Sequence, residues 1–205
     1  MCCGRPLISQ GLLAEARERA EQSVHRLLPI ATAGQPIVLL EPSCLSSLVD
    51  DIPSLLSGTA QQHAKTVAQS CVLFEDFVEQ SLQSGQSSLT LASGPAEIVL
   101  HGHCHQKAFA TIKDMDSVFG LLPGVESEFI TSSCCGMAGA FGYQAESYAI
   151  SMRMAALSLL PAIHGLPDSG VVVANGTSCR AQIAHGTGRQ PLHLVALLDQ
   201  RLAVN

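Results

Sequence analysis

Apolar residues recur at helical spacing through residues 10–28 (QGLLAEARERAEQSVHRLL), with an acidic start and Pro29 just beyond, which predicts a first long helix. Ile37–Leu40 follows Gly34 and Pro36 as a short apolar run, the form of a buried parallel strand. It leads into Glu41-Pro42-Ser43-Cys44 and a short helical segment, Leu45–Asp51. Residues 60–82 read as one helical stretch, which places Cys71, in VAQSCVLFEDFV, in the core as an ordinary packed thiol. The Gly/Ser-rich segment 84–94 then marks a boundary.

The second half repeats this logic. Strands are predicted at Glu97–Leu100, Glu126–Thr131 and Gly170–Ala174, and helices at 111–122, 144–163 and 191–203. The predicted class is α/β: two pseudo-repeated βα halves, 1–92 and 93–205, with short parallel strands flanked by helices. The Met/Ala-rich face of SMRMAAL reads as core packing.

The chemistry in this pattern is carried by cysteine. Cys-Cys-Gly occurs twice, at Cys2-Cys3-Gly4 and Cys134-Cys135-Gly136. Each copy is followed some forty residues later by an apolar run ending in Ser-Cys, at Cys44 and at Cys179. Adjacent cysteines send their side chains in different directions, which suits wrapping a multi-atom centre better than gripping one ion. Each candidate cysteine falls just after a predicted strand, where ligands gather in open α/β sheets. Cys104, Cys134, Cys135 and Cys179 supply four thiolates, enough for a [4Fe–4S] centre. Zinc is the main competitor, but its structural sites usually show Cys-x2–4-Cys spacing and no Cys-x-x-Cys occurs here. A redox disulfide would leave the duplication unexplained, and unpartnered buried cysteines suit one residue better than two repeats.

Glycines at 136, 139 and 142 in CCGMAGAFG permit a tight backbone whose amides can approach cluster sulfurs. His101, His103 and His105 crowd around Cys104, and one of them could line or tune the centre. Lys107 and Arg180 stand where they could offset cluster charge or lie solvated in salt bridges.

Composition narrows the partners. A net charge of −6 offers no basic face for nucleic acid. No window of eighteen apolar residues exists to span a bilayer, while peripheral membrane association stays open. Charged residues make up only 14% of the chain, so much of the surface is uncharged or covered by another protein. The start, Met-Cys-Cys-Gly-Arg-Pro, has no signal-peptide form, and a cytoplasmic location is the expectation. Eight cysteines in such a chain read as metal ligands or redox thiols before disulfides.

The segments HGHCHQKA, SSCCGMAGAFGY, GTSCRAQI, CCGRPLISQGLL and LEPSC resemble the cysteine-rich CCG domain family. That family includes the CCG-bearing component of heterodisulfide reductase, the iron–sulfur subunit of glycolate oxidase and lactate-utilisation proteins. The likeness is greatest to the C-terminal iron–sulfur regions of FAD-linked dehydrogenases similar to D-lactate dehydrogenase. The resemblance implies Cys104, Cys134, Cys135 and Cys179 as cluster ligands, with Gly136 beside them. Cys2, Cys3 and Cys44 form a second implied set, which either needs a ligand from sequence preceding Met1 or forms no cluster at all. It further implies an FAD domain or subunit elsewhere, which takes a hydride from a 2-hydroxy acid, and a quinone or cytochrome-type acceptor. Where the family pattern ends in Cys-x-x-Cys, this chain has Cys44-x-x-Ser47 and Cys179-x-x-Gln182, which favours electron transfer over disulfide reduction. A thiol/disulfide reductase module and a metal-free scaffold are the alternatives.

Overall fold

The computed structural model describes residues 2–85, 89–94, 97–109, 118–120, 122–132 and 134–202, the side chain of Phe109 excepted. It is a mixed α/β fold whose described strands are all short and parallel, in two small sheets. The chain divides into two compact units, Met1–Phe74 and Glu75–Asn205.

In the first unit, strands β1 (Ile37–Leu39) and β2 (Cys71–Leu73) pair in parallel, Ile37 opposite Cys71 and Leu39 opposite Leu73. The helix Leu13–Thr32 buries Ala16, Ala20, Val24 and Ala31, a stripe at helical spacing. Ala20, Val24 and Ala31 pack with Ile37, Leu48, Ile52, Leu56, Ala64 and Val67 in one core. The predicted stop at Pro29 is not where this helix ends, because Pro29 lies inside it. Proline removes one ladder bond, and burial of Ala31 beyond it offsets that loss. The hydroxyl of Thr32 then donates back to the carbonyls of Leu28 (2.9 Å) and Pro29 (3.1 Å) in the last turn.

The stretch 60–82 is likewise not one helix. Helix Gly58–Ser70 passes into β2 and then into helix Phe74–Gln83. A three-residue apolar strand between two helices has too short a span for its period to show. Cys71 therefore sits on a strand, half-buried against the first core, and its thiol donates to the carbonyl of Val67 at 3.3 Å. Burial raises its pKa to about 11, as a packed thiol requires.

The second unit is built on a three-stranded parallel sheet in the order β4–β3–β5: β3 Glu97–Leu100, β4 Glu126–Phe129 and β5 Val171–Val173. Ile98, Val99 and Leu100 of the central strand are buried, as expected for a strand covered on both faces. β4 exposes Glu126, Ser127 and Glu128, charges that suit a sheet edge. The predicted helix 144–163 is broken into Ala145–Ala156 and Leu159–His164. Pro161 accounts for the break, since its ring would clash with the Leu157 carbonyl in a continuous helix. The terminal helix is Leu194–Asp199, and most of the predicted helix 111–122 lies outside the described residues.

This topology fixes where the loops go. Leu100 is in register with Phe129 on one side and Val173 on the other. The segments following these residues all leave the sheet from the same, C-terminal edge. His101 N–H donates to Val173 O (2.9 Å) and Ile130 N–H to Leu100 O (2.8 Å), so the ladder holds the three exits together.

Candidate metal centre

From that edge the three loops carry the cysteines. Cys104 opens the helix Cys104–Phe109, Cys134 and Cys135 follow β4, and Cys179 is the third residue of the helix Thr177–Thr187. The structure brings all four together. Cys104 lies within hydrogen-bonding reach of Cys134, Cys134 of Cys135, and Cys135 of Cys179. Cys104 is exposed and Cys134 half-buried, whereas Cys135 and Cys179 are only 4% and 1% exposed and belong to the second core.

Crowding of sulfurs sets their proton affinities. Cys134 is held far below a free thiol because Cys104 and Cys135 donate to it. Cys179 is also held well below, chiefly by the Cys135 thiol, with the His101 and His103 imidazoles lowering it further. Cys104 and Cys135 are correspondingly pushed up by the sulfurs they donate to and by burial. Crowded sulfurs of this kind compete for protons, and the buried pair, Cys135 and Cys179, would hold negative charge at a cost unless a cation took it up. The Gly136 N–H donates to Cys134 Sγ at 3.3 Å, the amide-to-sulfur contact expected of CCG.

A nitrogen joins the sulfurs. A ring nitrogen of His101 and the sulfurs of Cys135 and Cys179 all lie within 4.8 Å of one another, in buried surroundings. His101 Nδ1 is 3.0 Å from Ser132 Oγ, while buried Nε2 has no hydrogen-bond partner among the described residues. His103 also stands beside the sulfurs: its Nδ1 is 3.9 Å from Cys104 Sγ and accepts from His105 N–H at 3.1 Å, and the two rings lie with centroids 5.2 Å apart. Lys107 donates to the carbonyl and hydroxyl of Ser132, and burial lowers its pKa against the opposing pull of the cysteines. Arg180 donates to the carbonyls of Ala174 (2.8 Å) and Asn175 (2.6 Å), fixing the loop after β5. Gly176 in that loop is required by close approach, because a Cβ there would lie 2.2 Å from His103 Cδ2 and 3.1 Å from Cys179 Sγ.

Three buried polar residues that sequence reasoning passed over hold these loops in place. Glu75, Gln106 and Asn175 are each 1% exposed. The carboxylate of Glu75 accepts from Gln106 Nε2 and from Asn175 Nδ2. Gln106 Oε1 in turn accepts from His103 N–H at 2.9 Å, and Asn175 Oδ1 from Leu194 N–H at 3.1 Å. One carboxylate therefore ties the loop after β3 to the loop after β5. A Glu inside an apolar helix-like stretch is the only sequence signal for it. Glu75→Ala strands two buried amide donors and is expected to destabilise the second unit by roughly 2–4 kcal/mol. Glu75→Gln should cost less, and thermal unfolding of both variants checks the difference.

The positions where a second cysteine of Cys-x-x-Cys would fall are occupied by structural hydrogen bonds. Gln182, buried, donates to Ser151 O (3.3 Å) and Oγ (3.0 Å), and Ser47, buried, donates to Cys3 O (3.4 Å). Gln182 is thereby turned to Ser151, whereas the Ser47 hydroxyl also lies within reach of the Cys3 sulfur and helps lower its pKa.

The first unit repeats the arrangement in reduced form. Cys44 is the third residue of the helix Pro42–Ser46 after β1, and its sulfur lies 3.1 Å from that of Cys3. Sharing one proton, the pair splits: Cys3 falls to about 6, chiefly through Cys44, and Cys44 rises. Cys2 is exposed. Both CCG glycines are left-handed, Gly4 at φ 85° and Gly136 at φ 93°.

The donors of the second unit fit an iron–sulfur centre: four sulfurs from three loops, an amide N–H on sulfur, and an unsatisfied imidazole nitrogen.

No protein-family model matches the chain. Its curated relatives are dehydrogenases. It is 28% identical over 205 residues to a subunit of the anaerobic glycerol-3-phosphate dehydrogenase of Escherichia coli (strain K12), covering 98% of this chain and 50% of that protein. It is also 28% identical over 193 residues to D-2-hydroxyglutarate dehydrogenase of Pantoea ananatis, covering 93% of this chain and 18% of the relative. The protein of that name from Haemophilus influenzae is 24% identical over 182 residues, covering 88% and 17%. The chain thus spans about half the length of the first relative and less than a fifth of the other two.

Proposed function

We propose that this chain is the iron–sulfur electron-transfer module of a flavin-linked dehydrogenase. The observation that carries this reading is the convergence of Cys104, Cys134, Cys135 and Cys179 at one sheet edge. The names of its relatives support it, because glycerol 3-phosphate and 2-hydroxyglutarate both carry a secondary alcohol from which a flavin can take a hydride. A bound cluster would accept electrons one at a time from such a flavin and pass them on. The chain's own residues hold the cluster, supply an amide N–H to Cys134, and bury two of the four sulfurs away from water.

In this reading FAD resides on another region or a partner subunit, and a quinone or cytochrome-type molecule receives the electrons. The substrate is a hydroxy acid or a polyol phosphate, D-lactate and glycolate belonging to the first class. Residues 1–92 and 93–205 are a duplicated pair, and Cys2, Cys3 and Cys44 are ligands only if a further group completes them. The setting is the cytoplasmic side, soluble or peripheral at the membrane. No helix among the described residues is long and apolar enough to cross a bilayer.

Anaerobic reconstitution, followed by iron and acid-labile sulfide analysis and EPR of the reduced protein, tests the reading. About four iron and four sulfide per chain with a reduced-state signal are expected of one Cys-ligated [4Fe–4S] centre. Zinc in place of iron, or fully reactive thiols after reconstitution, would sink it.

A further inference from the structure

We infer that His101 is itself a ligand of the second unit's metal centre, binding through Nε2 on the buried side beside Cys135 and Cys179. The inference rests on the cluster reading above and adds a donor to it.

Three observations converge on Nε2. In an imidazole only 1% exposed it has no geometrically formed hydrogen bond among the described residues, and the ring lies within reach of the Cys179 sulfur. A buried polar atom left this way is costly, and a metal in front of it removes the cost. The ring offers a nitrogen within 4.8 Å of two cysteine sulfurs that are themselves buried. The opposite nitrogen, Nδ1, is held 3.0 Å from Ser132 Oγ. A metal-bound histidine characteristically gives its other ring N–H to an oxygen, which fixes its tautomer and aims the free lone pair at the metal. Ser132 is in turn held by Lys107, whose ammonium reaches both its carbonyl and its hydroxyl.

With His101 the site has five donors, one more than the corners of a four-iron cube. Cys135, Cys179 and His101 lie on the buried side, and exposed Cys104 and half-buried Cys134 on the outer side. An iron on the buried side therefore takes His101 in addition to a cysteine sulfur. Imidazole is a neutral ligand where thiolate is an anion, so a centre with histidine at this position would sit at a higher reduction potential than the same centre with cysteine there, as in other iron–sulfur centres where histidine replaces cysteine.

Pulsed EPR of the reconstituted, reduced full chain labelled with 15N-histidine tests this. The expected result is a nitrogen coupling of the strength seen for directly bound imidazole, present in the wild type and in His103→Gln and lost in His101→Gln. His101→Cys should keep its iron and shift to a lower reduction potential. A cluster loaded to the wild-type level with only the weak coupling of a hydrogen-bonded nitrogen would overturn the ligand and leave the cluster reading standing. Reconstitution that yields neither iron nor sulfide would overturn both. Should His101→Gln fail to fold, loss of the coupling in His101→Cys together with its retention in His103→Gln decides the question.

Discussion

Cys135→Ser is expected to abolish the visible absorbance of the reconstituted protein and to reduce its iron and sulfide to near background. Cys135 is the joint of the sulfur chain, within reach of both Cys134 and Cys179, and it is 4% exposed. No other sulfur among the described residues on the buried side can replace it, because Cys179 is already committed to the same site. Serine there buries a hydroxyl, worth about 1–3 kcal/mol of destabilisation. Thermal unfolding of the metal-free wild type and variant separates that cost from the loss of a ligand. Cys71→Ser serves as the control: its thiol bonds the Val67 carbonyl in the first unit, so the cluster should load fully.

Cys3→Ser should leave the second unit's absorbance in place. Among the described residues of the first unit, the sulfur of Cys3 pairs with that of Cys44, while Cys2 is exposed. Full iron in Cys135→Ser would defeat the assignment of the ligands. Equal losses from Cys3→Ser and Cys135→Ser would show instead that both CCG motifs bind, or that they share one centre.

The second large effect is expected at Gly136, and it is one of stability. Its φ of 93° lies in the left-handed region, where any side chain is strained by about 1–2 kcal/mol. A Cβ there would also sit 2.2 Å from the backbone oxygen of Ser151 and 3.0 Å from its carbonyl carbon. Those atoms belong to the helix Ala145–Ala156 and cannot swing aside, so overpacking adds roughly 1–3 kcal/mol. Gly136→Ala should therefore cost about 2–5 kcal/mol and lower the melting temperature of the metal-free protein by roughly 10 °C. Gly4 offers the comparison. Its φ is 85°, but the nearest atom to a new Cβ is Arg19 Cγ at 3.6 Å, part of a flexible side chain. Gly4→Ala should cost only the strain, about 1–2 kcal/mol. Equal destabilisation at the two glycines would show that backbone conformation alone, and not the approach of Ser151, makes Gly136 necessary.

The elements that locate the site are legible in the sequence. The runs at Ile37–Leu39, Glu97–Leu100 and Val171–Val173 are apolar and bounded by turn residues, and each forms a strand. The repeated Cys-Cys-Gly marks the paired thiols, and its glycines are left-handed in both copies. Cys71 packs in the core as its apolar surroundings predict, but on a strand hidden between two helices. Pro29 has the look of a helix end and is not one, since tertiary burial of Ala31 outweighs one missing ladder bond.

By itself, then, the sequence determined the alternation of helix and short strand, the repeated Cys-Cys-Gly motif, and which residues could donate to a metal. These are local properties: period, turn chemistry and residue type act over a few positions of chain. Only the tertiary structure decided which donors meet, and on which side of the site each lies. The order β4–β3–β5 brings to one edge loops that are far apart along the chain. Glu75 ties that edge together through Asn175, one hundred positions away. The unsatisfied nitrogen of His101 emerged the same way, since three histidines around Cys104 look alike in sequence. His101 and His103 are both buried, and only placement in three dimensions distinguishes the one whose ring groups with Cys135 and Cys179.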